Sequence, residues 1–130
     1  MAITLLKSLE FLAKGRGRLE LCLRLIPQGE DYLVQLLGGQ AHLGACAVKE
    51  ANCAVQLITC SGHREGELAV LTAEWLSRLL KAKVCVCAGI HYAAISKAEI
   101  AEVESLTLTL LQSVKENLKV AELNGHGCQM

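Results

Sequence analysis

The sequence predicts an α+β fold in which a mostly antiparallel sheet of five or six strands carries two main helices. Residues 19–25 alternate leucine with polar or small side chains, and this period of two is typical of a half-buried strand. Between residues 68 and 79 the apolar side chains instead recur every three or four positions, which is typical of an amphipathic helix. Short turns separate the strand-like segments, and short connections favour antiparallel neighbours.

Length and composition predict one domain with an aliphatic core. A chain of 130 residues can bury a core without disulfides or structural metals. Hydrophobic residues make up 52% of the chain but aromatic residues only 3%, so the core is built from Leu, Val, Ala and Ile. We expect the domain to span residues 1–123 and the polar, Gly-rich residues 124–130 to form a flexible tail.

The charge balance argues against a nucleic-acid binder and favours self-association. Lys plus Arg and Asp plus Glu each number 13, so the formal net charge is 0. A neutral chain with few aromatic residues lacks both the phosphate-binding charge and the stacking platforms of nucleic-acid-binding proteins. It also has little electrostatic repulsion between copies, which favours a homo-oligomer. No apolar stretch reaches the roughly 18 residues that would indicate a membrane span.

The seven cysteines indicate a reducing compartment. Their number is odd, no secretory signal precedes them, and most lie in apolar, strand-like segments. We therefore expect a cytoplasmic protein that uses cysteine as a small hydrophobic residue. Cys85 and Cys87 would point to one face of a strand, but their spacing differs from that of a zinc ribbon.

The first half of the chain reads as consecutive strands. The first 14 residues fit either an amphipathic helix or a strand, and we favour a strand paired through the turn at residues 15–17. Residues 27–31 read as a turn. The short connections predict that four further segments form an antiparallel meander. These segments are residues 19–25, 32–37, 43–48 and 53–59.

Two helices and a central strand follow. The first helix is predicted over residues 64–81, and the strand over residues 84–88 is apolar on both faces, which indicates a central position. Ser96 and Glu99 form a capping box that opens the second helix. The predicted buried stripe of the first helix is Leu68, Leu71, Trp75, Leu76 and Leu79. That of the second helix is Ile100, Val103, Leu110, Leu111, Val114 and Leu118.

Tracking the strand directions brings the polar segments to one end of the sheet. The turn at residues 15–18, residues 38–42, residues 61–66 and residues 89–92 all fall at that end. Three of the four histidines (His42, His63 and His91) are therefore expected together, whereas the turns at the opposite end contain no histidine. This convergence predicts a functional site.

Three chemistries fit these residues. Glycine-rich backbone, Arg64 and a helix N-terminus could bind a phosphate, with histidines and Tyr92 lining a ring pocket. Alternatively, His42, His63 and His91 could bind a metal, with Glu65 or Glu67 as the base of a hydrolase. A third possibility is a protein-docking surface of a cofactor-free assembly chaperone.

The motifs resemble those of the prenylated-flavin chaperone family (LpdD-like), which is associated with gallate-type decarboxylases. In order, they are Gly38-Gly39, His42-Leu43-Gly44, the run GHREGEL that begins at Gly62, and Gly89-Ile90-His91-Tyr92. The resemblance covers about residues 16–118. It implies a fold like that of proteasome-assembly chaperones and a homodimer.

The resemblance also implies a function without catalysis. A member would bind prenylated FMN, supplied by a flavin prenyltransferase, and deliver it to a UbiD-type decarboxylase. Arg64 and the backbone amides of residues 62–66 would bind the phosphate, and the three histidines would contact the flavin or its ribityl chain. The candidate cofactor-binding residues are His42, Gly62, His63, Arg64, Glu65, Gly66, His91 and Tyr92.

Overall fold

The computed structural model describes residues 5–60 and 65–128, with side chains in the last helix described up to residue 119. Within these ranges the chain forms a six-stranded sheet and two helices, which confirms the predicted α+β class. The strands are β1 (Leu9–Lys14), β2 (Glu20–Gln28), β3 (Asp31–Gly39), β4 (Ala45–Lys49), β5 (Gln56–Thr59) and β6 (Val84–His91). The helices are α1 (Glu65–Leu80) and α2 (Lys97–Cys128).

The strand order is β1-β2-β3-β6-β4-β5, so the predicted meander is wrong. Strand β6 lies between β3 and β4, parallel to β3 and antiparallel to β4. The connection from β3 to β4 passes over the end of β6 and forms two backbone hydrogen bonds with it. Gln40 N–H donates to the His91 carbonyl, and Gly44 N–H donates to the Ala88 carbonyl. The central position of β6 and the strand at the N-terminus are both confirmed.

Several predicted boundaries differ from the structure; strand β5, for example, begins at Gln56 and not at residue 53. Strand β2 continues through Pro27, which pairs with Tyr32, so the turn is shorter than the predicted residues 27–31 and contains Gly29 with a φ of 64°. Helix α2 continues to Cys128. The end of the domain at residue 123 and the flexibility of residues 124–130 stay predictions.

Both helices pack on one face of the sheet. Helix α1 contacts β4, β5 and β6, and α2 contacts β1, β2 and α1. Of the predicted stripe of α1, only Leu76 is fully buried, and Leu71 is 37% exposed. Small side chains allow α1 to lie close to the sheet, so the wider leucines are displaced towards its flanks. The buried residues of α1 are Glu65, Gly66, Ala69, Thr72, Ala73, Leu76 and Leu80.

Helix α2 begins at the predicted capping box. Ser96 N–H donates to Oε1 of Glu99 at 3.0 Å, and Glu99 N–H donates to Oγ of Ser96 at 3.0 Å. Five of the six residues of the predicted stripe are buried, and Ile100 is half-buried. Within the described part of the chain, neither helix combines the length and hydropathy that a membrane span requires.

Candidate functional site

Four segments meet at the end of the sheet where β3 and β6 finish, which we call the upper end. They are the turn between β1 and β2, the β3–β4 connection, the first turn of α1, and the residues that follow β6. The predicted strand directions are therefore confirmed, and of the predicted neighbours only β3 and β4 are separated, by the insertion of β6. The functional role of the residues at this end stays a prediction.

Glu65 is the buried acidic residue of the upper end. It is 6% exposed, and its Oε2 accepts a hydrogen bond from Ile90 N–H at 2.8 Å. Its Oε1 lies 3.2 Å from Nε2 of His42. Gly44 packs against the same carboxylate so closely that a Cβ atom there would overlap with it. A buried carboxylate needs such donors because desolvation of an unpaired charge is costly, so these contacts hold the Glu65 side chain in place.

His42 and His91 lie side by side. Their ring centroids are 6.2 Å apart and their planes are inclined at 88°. The backbone of His42 packs on Gly89, where a Cβ atom would overlap with the His42 carbonyl. Glycine at position 89 therefore allows the β3–β4 connection to approach β6 and brings the two histidines together.

Tyr92 anchors the end of β6 to the start of β2. Its hydroxyl donates to the Glu20 carbonyl at 2.7 Å and accepts from Glu20 N–H at 3.0 Å. The Arg18 guanidinium lies 5.6 Å from the centre of the Tyr92 ring and donates to the Ala93 carbonyl at 2.7 Å. Arg18 also pairs with Glu99 at 3.0 Å. This pairing, together with the Ser96 N–H, lowers the pKa of Glu99 to about 2.

An open cleft of about 890 Å³ lies between the two helices at the upper end. This volume is within the range of about 300–1,000 Å³ that is common for small-molecule sites. Polar lining residues are Glu65, Glu67, His91, Tyr92 and Glu104. Apolar lining residues are Leu68, Leu71, Ile90, Ala94, Ile95, Ile100, Val103 and Leu108. The walls are therefore aliphatic, and polar groups gather at the end of β6 and on the flanks of the helices.

The residues predicted to bind the cofactor fall into three groups according to their position relative to the cleft. Glu65, His91 and Tyr92 line the cleft. Two others lie beside the cleft without lining it: His42 contacts Glu65, and Gly66 packs against Thr59 and Leu57. Gly62, His63 and Arg64 lie outside the described residues.

The wall contributed by α2 was not predicted. Leu108 belongs to this wall and is 53% exposed, while Leu71 on α1 is 37% exposed. In the sequence, the only sign of this wall was the presence of leucines at the margin of each helical stripe. The packing of α2 beside α1 shows that these leucines face the same cleft.

The described lining contains three carboxylates and neither lysine nor arginine. Such a surface suits an uncharged, largely apolar group and repels a phosphate. Among the described residues, no group of three or more His, Cys, Asp or Glu side chains is arranged to hold a metal ion. The metal site predicted from His42, His63 and His91 includes a histidine outside the described residues and is not tested.

Comparison with known proteins identifies the sequence family and the fold. Residues 15–119 match the prenylated flavin chaperone LpdD-like domain, which confirms the resemblance read from the motifs. No curated protein matches the chain at a significant level. The structure is similar to a chain in the crystal structure of a chaperone complex for yeast 20S proteasome assembly, with a TM-score of 0.53 and 12% identity. The match covers 87% of this chain and 96% of that chain and confirms the fold implied by the resemblance.

Proposed function

Because the chain belongs to the prenylated flavin chaperone LpdD-like family, we propose that it binds prenylated FMN and delivers it to a UbiD-type decarboxylase. On this proposal the chain catalyses no reaction itself. The observation that carries the proposal is the aliphatic cleft beside Glu65 and His91.

The cleft suits the ring system of a prenylated flavin. This ring system is flat, aromatic and extended by hydrocarbon, so its transfer from water to an aliphatic surface is favourable by about 25 cal/mol per Å² of apolar area. Leu71 and Leu108 supply such a surface on opposite walls, and both remain partly exposed. An open cleft also suits a carrier, because the ligand has to leave for the client enzyme.

We place the phosphate of the cofactor outside the cleft, in a different part of the upper end. Glu67 and Glu104 would repel it within the cleft. We therefore assign the phosphate to the segment before α1, where Gly62, His63 and Arg64 precede the helix in sequence. The helix N-terminus adds a favourable dipole for an anion there. His91 is exposed at the end of β6 and is the polar side chain we assign to the flavin ring or ribityl chain.

The test is to co-express the chain with a flavin prenyltransferase and record the visible spectrum of the purified protein. We expect flavin absorbance in the wild type and its loss in His63→Ala and Arg64→Ala. Arg16→Ala is the matched control, because it removes a cation from the same end of the sheet but outside the assigned phosphate segment. A colourless wild type with stoichiometric zinc would instead support the hydrolase alternative.

Delivery needs a second test. The loaded chain is mixed with a UbiD-type decarboxylase that lacks its cofactor, and decarboxylase activity and flavin transfer are measured. We expect activity to rise as flavin leaves the chain. Flavin that stays on the chain while the decarboxylase remains inactive would contradict the delivery role.

We further propose that the chain works in the cytoplasm as a homodimer. The formal net charge of 0 supports the self-association, since copies repel each other little at neutral pH. Light scattering on the purified protein gives the mass directly. A mass of twice 14.0 kDa is expected, and a mass of 14.0 kDa at micromolar concentration would contradict the dimer.

A further inference from the structure

One face of the sheet carries a group of cysteines and no described helix. Both helices pack on the opposite face, where the alternate residues of the central strands are buried. On the helix-free face, Cys46 of β4 stands directly across from Cys87 of β6. The Cys46 thiol donates to the Cys87 sulfur at 3.6 Å, and both residues are half-buried. Cys85 lies on the same face two residues before Cys87.

We propose that Cys46 and Cys87 are a redox-active dithiol that closes to an intramolecular disulfide on reaction with a low-molecular-weight disulfide such as oxidised glutathione. Residues directly opposite on antiparallel strands have Cβ atoms about 4.5–5.5 Å apart, and a disulfide needs about 3.5–4.5 Å. The two sulfur atoms already lie in contact, so a small side-chain adjustment closes the bond.

The reaction is a balanced thiol–disulfide exchange. One cysteine loses its proton, and the thiolate attacks a sulfur of the oxidant, whose S–S bond breaks to release one thiol and leave a mixed disulfide. The second thiolate then attacks the protein sulfur of that mixed disulfide, which forms the Cys46–Cys87 bond and releases the second thiol. Both released thiolates take up the two cysteine protons, so the protein is oxidised as the oxidant is reduced.

The surroundings of the pair predict a pH dependence of this reaction. Burial raises the pKa of both thiols, while the hydrogen bond from Cys46 lowers the pKa of Cys87 and partly offsets the effect of burial there. Less thiolate is therefore present at neutral pH than for an ordinary cysteine. We expect closure to be slow at pH 7 and faster as the pH rises towards 9.

The bond would link β6, which ends at His91, to β4, which follows the connection that contains His42. Cys46 follows His42 by four positions, and Cys87 precedes His91 by four. A disulfide between them closes a long loop, with a sequence separation of 41, and restricts movement of β4 against β6. We therefore expect oxidation to raise the Tm by roughly 5 °C or more.

The experiment uses the full native chain and oxidised glutathione at pH 8.5, followed by alkylation, trypsin digestion and mass spectrometry. A linked pair of peptides, residues 25–49 with residues 84–97, is the expected product. Because Cys85 shares the second peptide, the link must persist in Cys85→Ala and disappear in Cys46→Ala and Cys87→Ala. Cys53→Ala is the control for an exposed cysteine outside the pair and should leave the link intact.

Reversal by a reductant and the identity of any other oxidation product complete the test. Dithiothreitol should reverse both the link and the rise in Tm. The proposal would be overturned by stable glutathione adducts without a link, by a Cys85–Cys87 bond, or by a link between two chains. Each outcome is visible in the wild type alone, so it does not depend on the folding of a cysteine variant.

Discussion

The Nε2 atom of His42 lies 3.2 Å from the Oε1 atom of Glu65, across a sequence separation of 23 residues. The second oxygen of the same carboxylate accepts the Ile90 N–H. One buried side chain therefore joins the β3–β4 connection, the first turn of α1 and the end of β6. This junction positions the polar side of the cleft.

Glu65→Ala should destabilise the chain and weaken flavin binding together. The substitution removes the acceptor of the partly buried Ile90 N–H and the contact to the His42 ring, and loss of the acceptor of a buried donor costs about 1–3 kcal/mol. Urea denaturation measures the loss in the free energy of unfolding. Glu67→Ala, an exposed carboxylate in the same turn of α1, is the control and should change it by less than about 0.5 kcal/mol.

Thr72→Val should stabilise the chain. Among the described residues, the Thr72 hydroxyl is buried and has no hydrogen-bond partner, so an isosteric methyl group should raise the free energy of unfolding by about 1 kcal/mol. Thr107→Val is the matched control, because the Thr107 hydroxyl is equally buried but donates to the Val103 carbonyl at 2.9 Å. A gain in Thr107→Val as large as that in Thr72→Val would contradict this explanation.

Glu99→Gln should lower the Tm in a pH-dependent way. The pairing with Arg18 holds the folded pKa of Glu99 at about 2, below the ordinary value of 4.5. The folded state thus favours the charged form, and its stabilising contribution is fully present above pH 4.5 and lost as the pH falls through about 2. The Tm difference between wild type and Glu99→Gln should therefore shrink between pH 5 and pH 2.

Arg18→Ala removes the main cause of that pKa shift and provides an independent check. Its Tm difference from the wild type should fall over the same pH range. A difference that stays constant from pH 5 to pH 2 in both variants would show that the Arg18–Glu99 pair does not stabilise the fold.

The strand directions could be predicted from sequence, but the position of β6 between β3 and β4 could not. Each short turn reverses the chain, and this reasoning brought the ends of β3, β5 and β6 to one end of the sheet. The pairing of β6 with β3 depends on contacts distant in sequence, such as Tyr32 with Val84. Alternation of apolar side chains shows which face of a strand is buried, but not which strand lies beside it.

The polar part of the candidate site was predictable for the same reason, and the cleft was not. His42, Glu65 and His91 belong to segments whose ends meet whatever the order of the strands. In the first half of α1 the residues buried against the sheet include Ala69 and Ala73, which leaves Leu68 and Leu71 to line the cleft opposite α2. Which side chains of α1 are buried depends on how closely the helix approaches the sheet, and the period of the apolar residues does not give this distance.

Titration of the purified, flavin-free chain with prenylated FMN, followed by flavin absorbance, tests the central claim most directly. Leu108→Asp places a charge on the aliphatic wall at a side chain that is already 53% exposed, so the fold should survive. Leu12→Asp is the control at an exposed leucine outside the cleft. We predict a Kd about tenfold higher or more for Leu108→Asp, since loss of one apolar contact costs at least about 1.4 kcal/mol, and an unchanged Kd for Leu12→Asp. An unchanged Kd for folded Leu108→Asp would contradict the assignment of the flavin to this cleft.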